Sequence, residues 1–238
     1  MKAKTEEAAV RSPRRRQREI LETAARVFHE KGYQATSIQD IADEVGILKG
    51  SLYYYIDSKE DLLYDIIHGV HQGALAVLDA VEEVDGNALQ KIRAFVTHHV
   101  TFNLENRMWV GVFFDDFRSL SPERREIVVR ERDEYDRFLR NLITLGQKEG
   151  VVCPDLDTKL TSLAILDMLN FVVHWYQPDG ERSASAVAQE YADFVVAGLA
   201  CTPKTHSPGH RAKLSANGAV PAGRRADGLR RTNAKTSA

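Results

Sequence analysis

The stretch that most constrains this fold is residues 36–60, where two short helical patterns are separated by a single glycine. The first pattern carries apolar residues at helical spacing, so one of its sides is expected to be buried. These residues are Ile38, Ile41, Ala42 and Val45. Gly46 follows directly, at the position where a helix commonly ends in a left-handed conformation. Lys49 then begins a second short pattern, and the sequence therefore predicts two helices joined by a tight turn.

That arrangement is a helix-turn-helix, whose second helix enters the major groove of DNA. Ser58 and the acidic residues after it have the pattern of a helix N-cap, so a third helix is predicted to start there. Apolar residues at helical spacing continue through residues 62–81, and nothing beyond residue 86 has the alternation of a strand. We therefore predict an all-α fold: an N-terminal three-helix DNA-binding domain followed by a C-terminal helical domain.

Charge is distributed unevenly, although the net charge is only −2. Residues 11–18 carry five arginines and no acid, and residues 201–238 carry eight Lys or Arg residues and one Asp. The end of the chain also has too few apolar residues to build a core. We predict a disordered arm over 1–13, a DNA-binding domain over 14–60, a helical domain over 61–201 and a disordered basic tail over 202–238. Basic ends suit a polyanionic partner, although solvated tails have the same composition.

The sequence gives little support to several classes of protein. Cys153 and Cys201 form neither a disulfide framework nor a metal-binding pattern. No apolar run approaches the ~20 residues that a membrane-spanning helix needs, and the charged N-terminus lacks the apolar segment of a signal peptide. We therefore predict a cytoplasmic protein without a cofactor or metal and without contact with a membrane. No nucleophile elbow, phosphate-binding loop or metalloprotease helix is present, so we do not predict an enzyme.

Residues 14–60 resemble the DNA-binding domain of the TetR family of bacterial repressors. The resemblance rests on Phe28-His29-Glu30-Lys31-Gly32-Tyr33, Ala35-Thr36-Ser37-Ile38, Ile41-Ala42, Gly46, Lys49-Gly50-Ser51-Leu52-Tyr53-Tyr54-Tyr55 and Ser58-Lys59-Glu60-Asp61-Leu62. The family commonly has Tyr-Tyr-His-Phe where this chain has Tyr53-Tyr54-Tyr55-Ile56. We expect Ile56 to fill the place of the phenylalanine in the small core, and Tyr55 stands where the family has histidine.

The resemblance implies a set of DNA contacts that the chemistry of the side chains supports. Lysines at helix starts can meet phosphate together with free backbone N–H groups. A glycine lets the backbone approach DNA closely, while hydroxyl groups bond phosphate and aromatic rings pack on sugars or thymine methyl groups. The predicted contacts are Arg16, Thr36, Ser37, Lys49, Gly50, Ser51, Tyr53, Tyr54, Tyr55 and Lys59. For Arg16, a merely solvated basic arm is an equally good interpretation.

In the TetR family the C-terminal domain holds a ligand cavity and the dimer interface. The last predicted helix, 183–200, carries small and branched residues on one side, which suits close packing against a partner. The predicted dimer contacts are Leu163, Ala188, Ala192, Val195 and Leu199. His174-Trp175-Tyr176-Gln177-Pro178-Asp179-Gly180, followed by an alanine-rich helix, is similar to a subgroup that governs lipid and steroid breakdown and responds to acyl-coenzyme A thioesters.

Polar residues within the apolar helices, and the aromatic residues beside them, are the candidates for ligand contact. They are Phe95, His99, Trp109, Phe113, Tyr135, Asp167, Asn170, Phe171 and His174. For each polar residue, an ordinary buried hydrogen bond or an exposed position is the simpler interpretation. His98, His99, Asp115 and Asp116 contain metal-ligating groups, but without a diagnostic spacing.

The sequence therefore predicts a homodimeric transcriptional repressor that binds a palindromic DNA operator and is released by a small apolar or acyl-CoA-type effector. An alternative is a small-molecule-binding all-α dimer whose helix-turn-helix is vestigial. The two hypotheses differ in whether the chain retains specific DNA.

Overall fold

A computed structural model of the protein describes residues 13–200, all of them within one compact unit, Met1–Cys201. The described chain is helical, and within it strand-like pairing is limited to one isolated antiparallel bridge between Val152 and Ala200. The prediction of an all-α fold is confirmed. Of the predicted arm over residues 1–13, residues 1–12 lie outside the described residues, as does the predicted tail over 202–238, while Pro13 belongs to the first helix.

Ten α-helices and one 3-10 turn follow one another through residues 13–200. They are α1 Pro13–Lys31, α2 Ile38–Val45, α3 Lys49–Leu52, α4 Lys59–Glu82, α5 Ala88–Glu105, α6 Arg107–Asp116, the 3-10 turn Phe117–Ser119, α7 Pro122–Lys148, α8 Thr158–Asn170, α9 Val172–Trp175 and α10 Ala184–Leu199. The apolar residues between Leu160 and Tyr176 have the spacing of one long helix, but the structure interrupts it at Phe171, which separates α8 from α9.

Local capping explains where α2 and α4 begin. The hydroxyl of Ser37 accepts a bond from the backbone N–H of Asp40, and the carboxylate of Asp40 accepts one from the backbone N–H of Ser37. Ser58 and Asp61 form the same reciprocal pair at the start of α4. Each pair satisfies backbone donors that the first helical turn leaves free. Gly46 ends α2 with φ 73°, a left-handed conformation that glycine adopts at little cost.

Two hydrophobic cores hold these helices together. The first, here called the N-terminal core, joins apolar residues of α1, α2, α3 and the start of α4 to α6 and α7. Among its buried residues are Ile41, Leu52, Leu63, Val110 and Phe113. The second core lies between α5, α7, α8 and α10, with α10 packed along α5. Since the N-terminal core extends beyond residue 60 to α6 and α7, movements of these helices can reach the helix-turn-helix.

Candidate DNA-binding surface and effector cavity

The start of α3 presents an exposed surface with few internal contacts. Lys49 and Gly50 are exposed, and Tyr54 is 89% exposed, whereas Leu52 between them is fully buried in the N-terminal core. Tyr53 is also exposed. Large apolar and aromatic side chains are usually covered in folded proteins. An exposed tyrosine beside a lysine at a helix start therefore forms a surface suited to phosphate and base contact.

Tyr55, Ile56 and Ser51 are placed differently from that exposed face. Tyr55 is half-buried and packs against the N-terminal core, and Ile56 is buried there, as expected for the position where the family has phenylalanine. Ser51 is half-buried within α3. Of the three tyrosines, Tyr55 is thus partly occupied by packing, which leaves Tyr53 and Tyr54 as the exposed pair.

Thr36 and Ser37 serve local structure in different ways. Thr36 is only 2% exposed, and its hydroxyl donates to the carbonyl oxygen of Gly32 over 2.9 Å. The expected contact between the Thr36 hydroxyl and DNA is therefore corrected, because that hydroxyl is buried and already bonded. Ser37 is exposed while it caps α2, and its hydrogen bonds to the carboxylate of Asp40 lower the pKa of that aspartate.

The side chain of Lys59 points into the protein. Its Nζ atom donates to the carbonyl oxygens of Tyr33 and Thr36, each over 2.8 Å, and lies 4.2 Å from the centre of the Tyr33 ring. Burial lowers the pKa of Lys59, and the nearby carboxylate of Asp116 opposes that shift. The expectation that Lys59 contacts DNA phosphate is corrected, because its ammonium group already holds the turn between α1 and α2.

Arg16 is also engaged within the protein. Its guanidinium lies 2.8 Å from the carboxylate of Glu19, one turn further along α1, and its side chain is mostly covered. The guanidinium that was predicted to contact DNA is therefore already paired with a carboxylate. The ion-pair partner of Arg16 in this structure is Glu19 of the same helix.

A cavity of about 330 Å³ lies between α4, α5, α6, α7 and α8. Its apolar walls include Val70, Phe102, Val110, Phe113 and Leu166. At one end the lining residues are exposed, so this end forms the mouth; they are Val129, Arg132 and Asp133 of α7 and Leu163 and Asp167 of α8. A pocket of a few hundred Å³ with apolar walls and a few polar groups is typical of a small-molecule site.

The inner end of the cavity, here called the floor, consists of His99, Asn103, Tyr135 and Asn170. His99 Nδ1 lies 2.8 Å from the Tyr135 hydroxyl, and His99 Nε2 lies 2.9 Å from Oδ1 of Asn170. Asn103 Nδ2 donates to the carbonyl oxygen of Leu169 over 3.3 Å. A neutral His99 that donates from Nε2 to Asn170 and accepts at Nδ1 from Tyr135 satisfies these two contacts. Asn103 Nδ2 lies 3.0 Å from the same Nε2, and with this tautomer it donates to Leu169 and to Oδ1 of Asn170 instead.

Burial lowers the pKa of His99 from 6.5 to about 4, although the hydrogen bond to Asn170 acts in the opposite direction. Burial likewise raises the pKa of the Tyr135 hydroxyl. Both shifts favour the uncharged form, since a buried group is most easily accommodated without charge. The floor is therefore polar but neutral.

The His99 shift predicts how stability depends on pH. Because the folded pKa lies below the unfolded one, the unfolded state binds more protons between the two values, and stability falls as the pH drops. The free energy of unfolding should decrease by about 2 kcal/mol from about pH 7 to about pH 5 on account of His99. Urea unfolding of His99→Gln should lack this component, whereas the exposed control His174→Gln should retain it. Equal pH dependence in both variants would contradict the prediction.

Five of the nine predicted ligand residues line the cavity, namely His99, Phe113, Tyr135, Asp167 and Asn170. Phe95 is fully buried behind the floor, with its ring 5.7 Å from that of His99. Trp109 packs its ring against Gly69 of α4 instead of lining the cavity. Phe171 and His174 are exposed, so their expected place in the cavity is corrected. After the interruption at Phe171, Val172 and Tyr176 are the buried residues of this segment, and they pack in the second core.

The cavity also contains residues that the sequence did not single out, among them His71, Phe102 and Asn103. Asn103 follows His99 at a spacing of four, which places both on one face of α5. That spacing was the available signal. It was missed because an asparagine in a helix is more often exposed than buried.

The predicted dimer residues are placed on two different sides of the protein. Ala188 and Ala192 of α10 are buried in the core that includes α5, so their expected role as surface contacts is corrected. Val195 and Leu199 belong to the same core but also line an apolar groove between α8 and α10, so their dimer role stays a prediction. Leu163 of α8 is partly exposed, at the mouth of the cavity. Small residues on α10 allow close packing, and the helix they approach belongs to the same subunit.

A second, mostly apolar groove of about 370 Å³ lies between α8 and α10. Its lining includes Leu160, Ala164, Met168, Phe194 and Gly198. Leu160 is 68% exposed and Phe194 is 69% exposed. Adjacent exposed apolar side chains of this size are typical of an interaction surface.

Residues 13–200 show neither a metal-binding group nor a membrane span. They contain no cluster of three or more His, Cys, Asp or Glu side chains arranged to hold a metal ion. Within the same part of the chain, no helix has the length and apolar character needed to cross a membrane.

Comparison with known proteins identifies the family. The family model described as "Bacterial regulatory proteins, tetR family" matches residues 20–66, and the model "Tetracyclin repressor-like, C-terminal domain" matches residues 85–199. The HTH-type transcriptional repressor KstR2 of Mycobacterium tuberculosis is 30% identical over 185 residues, which cover 77% of this chain and 92% of that protein. The chain belongs to the TetR family. The predicted family, and with it a ligand-responsive DNA-binding repressor of transcription, is confirmed.

Solved structures of TetR-family members share the architecture. PfmR from Thermus thermophilus is 36% identical with a TM-score of 0.70, and the match covers 76% of this chain and 99% of that one. AibR, solved in complex with isovaleryl coenzyme A and operator DNA, is 28% identical with a TM-score of 0.69, and the match covers 77% of this chain and 97% of that one. The first protein is described as a TetR-family transcriptional regulator and the second binds both a thioester and DNA.

Proposed function

We propose that this TetR-family repressor binds a palindromic operator as a homodimer and is released when a small apolar or acyl-CoA-type effector fills the cavity between α4 and α8. Residues 14–60 would act as the DNA-binding domain and residues 61–201 as the effector and dimerisation domain. The observation that carries the proposal is the position of α6, which lines the cavity with one side and contacts the DNA-binding domain with the other. Because operator DNA lies in the cytoplasm, the predicted cytoplasmic location is part of this proposal.

The proposed DNA contacts are the exposed residues of the helix-turn-helix. Lys49 and Gly50 are exposed in α3, Tyr53 and Tyr54 are exposed directly after its last residue, and Ser37 is exposed at the start of α2. The start of α3 has no side-chain cap, so it can offer backbone N–H groups to phosphate. The side chains of α3 would then enter the major groove and contact base edges.

The proposed dimer forms through the groove between α8 and α10. A second copy is the proposed occupant because an operator with two-fold symmetry is contacted by a protein with the same symmetry. Leu160 and Phe194 would be covered by the same two helices of the partner. The apolar surface that is buried in this way would stabilise the dimer by about 25 cal/mol per Å².

Three contacts support a mechanical connection between cavity and DNA. Val110, Phe113 and Phe114 of α6 line the cavity. On the opposite side, Gly111 lies against the imidazole of His29 in α1. At the end of α6, the carboxylate of Asp116 accepts a bond from the backbone N–H of Tyr33 over 3.3 Å.

The start of α4 is tied to the same region. Lys59 bonds the turn that contains Tyr33, and Arg124 of α7 forms an ion pair with the carboxylate of Asp61. A ligand that displaces α6 or α7 would therefore move the turn between α1 and α2. Release follows only if the effector binds the displaced arrangement more tightly than the DNA-bound one.

The size of the cavity limits the effector. A volume of about 330 Å³ is near the lower end of the range for drug-sized ligands. An acyl-CoA would place its acyl part inside and leave its nucleotide outside the mouth. The thioester bound by AibR supports this class, as does the lipid and steroid subgroup that residues 174–180 resemble.

The test is selection of bound fragments from random DNA, followed by gel shifts. We expect an inverted repeat whose half-sites are about one helical turn apart. Tyr54→Ala should lower operator affinity at least about 10-fold and leave the dimer unchanged in sedimentation. Acyl-CoAs of increasing chain length would then be titrated into the complex. Operator affinity that no bound effector changes would contradict the proposed release.

Failure of the wild-type chain to retain any palindromic DNA would favour the alternative, a ligand-binding dimer with a vestigial helix-turn-helix. The exposed Lys49 and Tyr54 argue against that alternative, because a helix-turn-helix without DNA would gain stability by covering such a tyrosine.

A further inference from the structure

The floor of the cavity has hydrogen-bonding capacity that its own network does not use. Asn103 donates from Nδ2 to the carbonyl oxygen of Leu169 and to Oδ1 of Asn170, which also accepts from His99. Within residues 13–200, no hydrogen bond engages Oδ1 of Asn103 or Nδ2 of Asn170. The acceptor Oδ1 of Asn103 and the donor Nδ2 of Asn170 are therefore unpaired within this part of the chain, beside the apolar walls of the cavity, where an unsatisfied polar group is costly.

Charge separates the two ends of the same cavity. His99 is held in its neutral form at the floor, and its neighbours Asn103, Asn170 and Tyr135 carry no charge. The exposed charged residues of the mouth are Arg132, Asp133 and Asp167. Asp136, which also lines the cavity, is already bonded to Arg140 and Ser162. A ligand carboxylate that reached the floor would therefore meet no cation among these four residues; the other imidazole of the lining is that of His71 on α4.

We propose that the buried end of the effector carries an uncharged oxygen, a ketone or a hydroxyl, which hydrogen-bonds to Asn170 and Asn103. A ketone accepts from Nδ2 of Asn170, and a hydroxyl additionally donates to Oδ1 of Asn103. Plain hydrocarbon chains leave both amide atoms unpaired, and a terminal carboxylate loses its hydration without a counter-charge. The inference rests on the proposed effector role of this cavity and names the chemistry of the part that enters it.

Four probes that share one ring test the proposal: cyclooctanone, cyclooctanol, cyclooctane and cyclooctanecarboxylate. They are titrated into the full chain without DNA at about pH 8, where a histidine with an unperturbed pKa is neutral. The side-chain amide signals of Asn103 and Asn170 in nuclear magnetic resonance spectra report binding at the floor. We expect these signals to shift with the ketone and the alcohol, and the carboxylate to bind at least about 100-fold more weakly than the ketone.

The deciding variant is Asn170→Leu, because Asn170 lies at the end of α8 and is only half-buried. It should raise the Kd for cyclooctanone about 5- to 10-fold and leave the Kd for cyclooctane unchanged or lower. Phe114→Leu, on the apolar wall, should change both constants by the same factor. Equal responses of ketone and hydrocarbon to Asn170→Leu, or a carboxylate that binds as tightly as the ketone, would overturn the proposal.

The two proposals fail in different ways. If operator release fails but the Kd pattern appears, the cavity still recognises an uncharged oxygen and the release mechanism is wrong. If the pattern is absent while another effector releases DNA, the proposed function stands without this recognition. Should Asn170→Leu not fold, the comparison of ketone and carboxylate on the wild-type chain still decides.

Discussion

Phe194→Asp is expected to convert the protein into a monomer and to weaken operator binding at least about 100-fold. Phe194 is 69% exposed on α10 and lines the groove between α8 and α10. In the proposed two-fold interface, each substitution would bury an unpaired carboxylate, and the symmetry would introduce two of them. Sedimentation at micromolar concentration would measure the mass, and gel shifts would measure the loss of operator affinity.

Leu145→Asp provides the matched control. Leu145 is an exposed leucine of α7 that does not line the groove. Placing the same charge there should leave both mass and operator affinity unchanged. Leu160→Asp, on the α8 side of the groove, should reproduce the effect of Phe194→Asp. A Phe194→Asp protein that remains dimeric would show that the interface lies elsewhere.

The interface illustrates what residue spacing can and cannot predict. Spacing correctly indicated a helix over 184–199 with one small-residue side, because periodicity depends only on the chain. It did not indicate which neighbour that side would meet. Ala188 and Ala192 pack in the core beside α5, and the exposed side is the one that carries Phe194. Both sides of α10 carry apolar residues, and residue spacing alone does not show which side packs within the subunit.

Cavity residues could be predicted where a polar residue lies within an otherwise apolar helix. His99 and Tyr135 are polar residues amid apolar neighbours, and both lie at the floor. The predictions for Phe171 and His174 were wrong because the apolar pattern continues past Asn170 without a break. The chain changes direction at Phe171, and an interruption without proline or glycine leaves no clear signal in the sequence.

The helix-turn-helix was the best-predicted region, since its caps and its glycine turn are local features. Ser37, Gly46 and Ser58 have the roles that their residue types suggest. Thr36 and Lys59 do not. Lys59 bonds carbonyl oxygens 26 and 23 residues earlier in the chain, which a local pattern does not show. Thr36 bonds Gly32 only four residues earlier, but its residue type alone does not indicate whether the hydroxyl turns back to that carbonyl or faces solvent. A lysine at a helix start predicts phosphate contact equally well whether or not its side chain turns inward.

Lys59→Met should therefore lower the free energy of unfolding by about 3 kcal/mol, since hydrogen bonds from a charged group contribute about 1.5–3 kcal/mol each. Methionine retains the length of the side chain but cannot donate to the carbonyl oxygens of Tyr33 and Thr36. Operator affinity should fall because the turn between α1 and α2 loses its tie to α4. The dependence of that affinity on salt should not change, since no phosphate contact is removed. Urea unfolding and gel shifts at several salt concentrations measure the two effects.

Lys49→Met is the control, and it should give the opposite result. Lys49 is exposed at the start of α3, so its replacement should change stability by less than about 0.5 kcal/mol. If it contacts a phosphate, the slope of log affinity against log salt should decrease by about 1. A Lys59→Met protein with unchanged stability and a reduced slope would assign Lys59 to DNA after all. Reduced stability with an unchanged slope would instead make Lys59 the residue through which α4 holds the DNA-binding domain. Because α4 also lines the effector cavity through Val70 and His71, Lys59 would then connect the cavity to the DNA-binding domain.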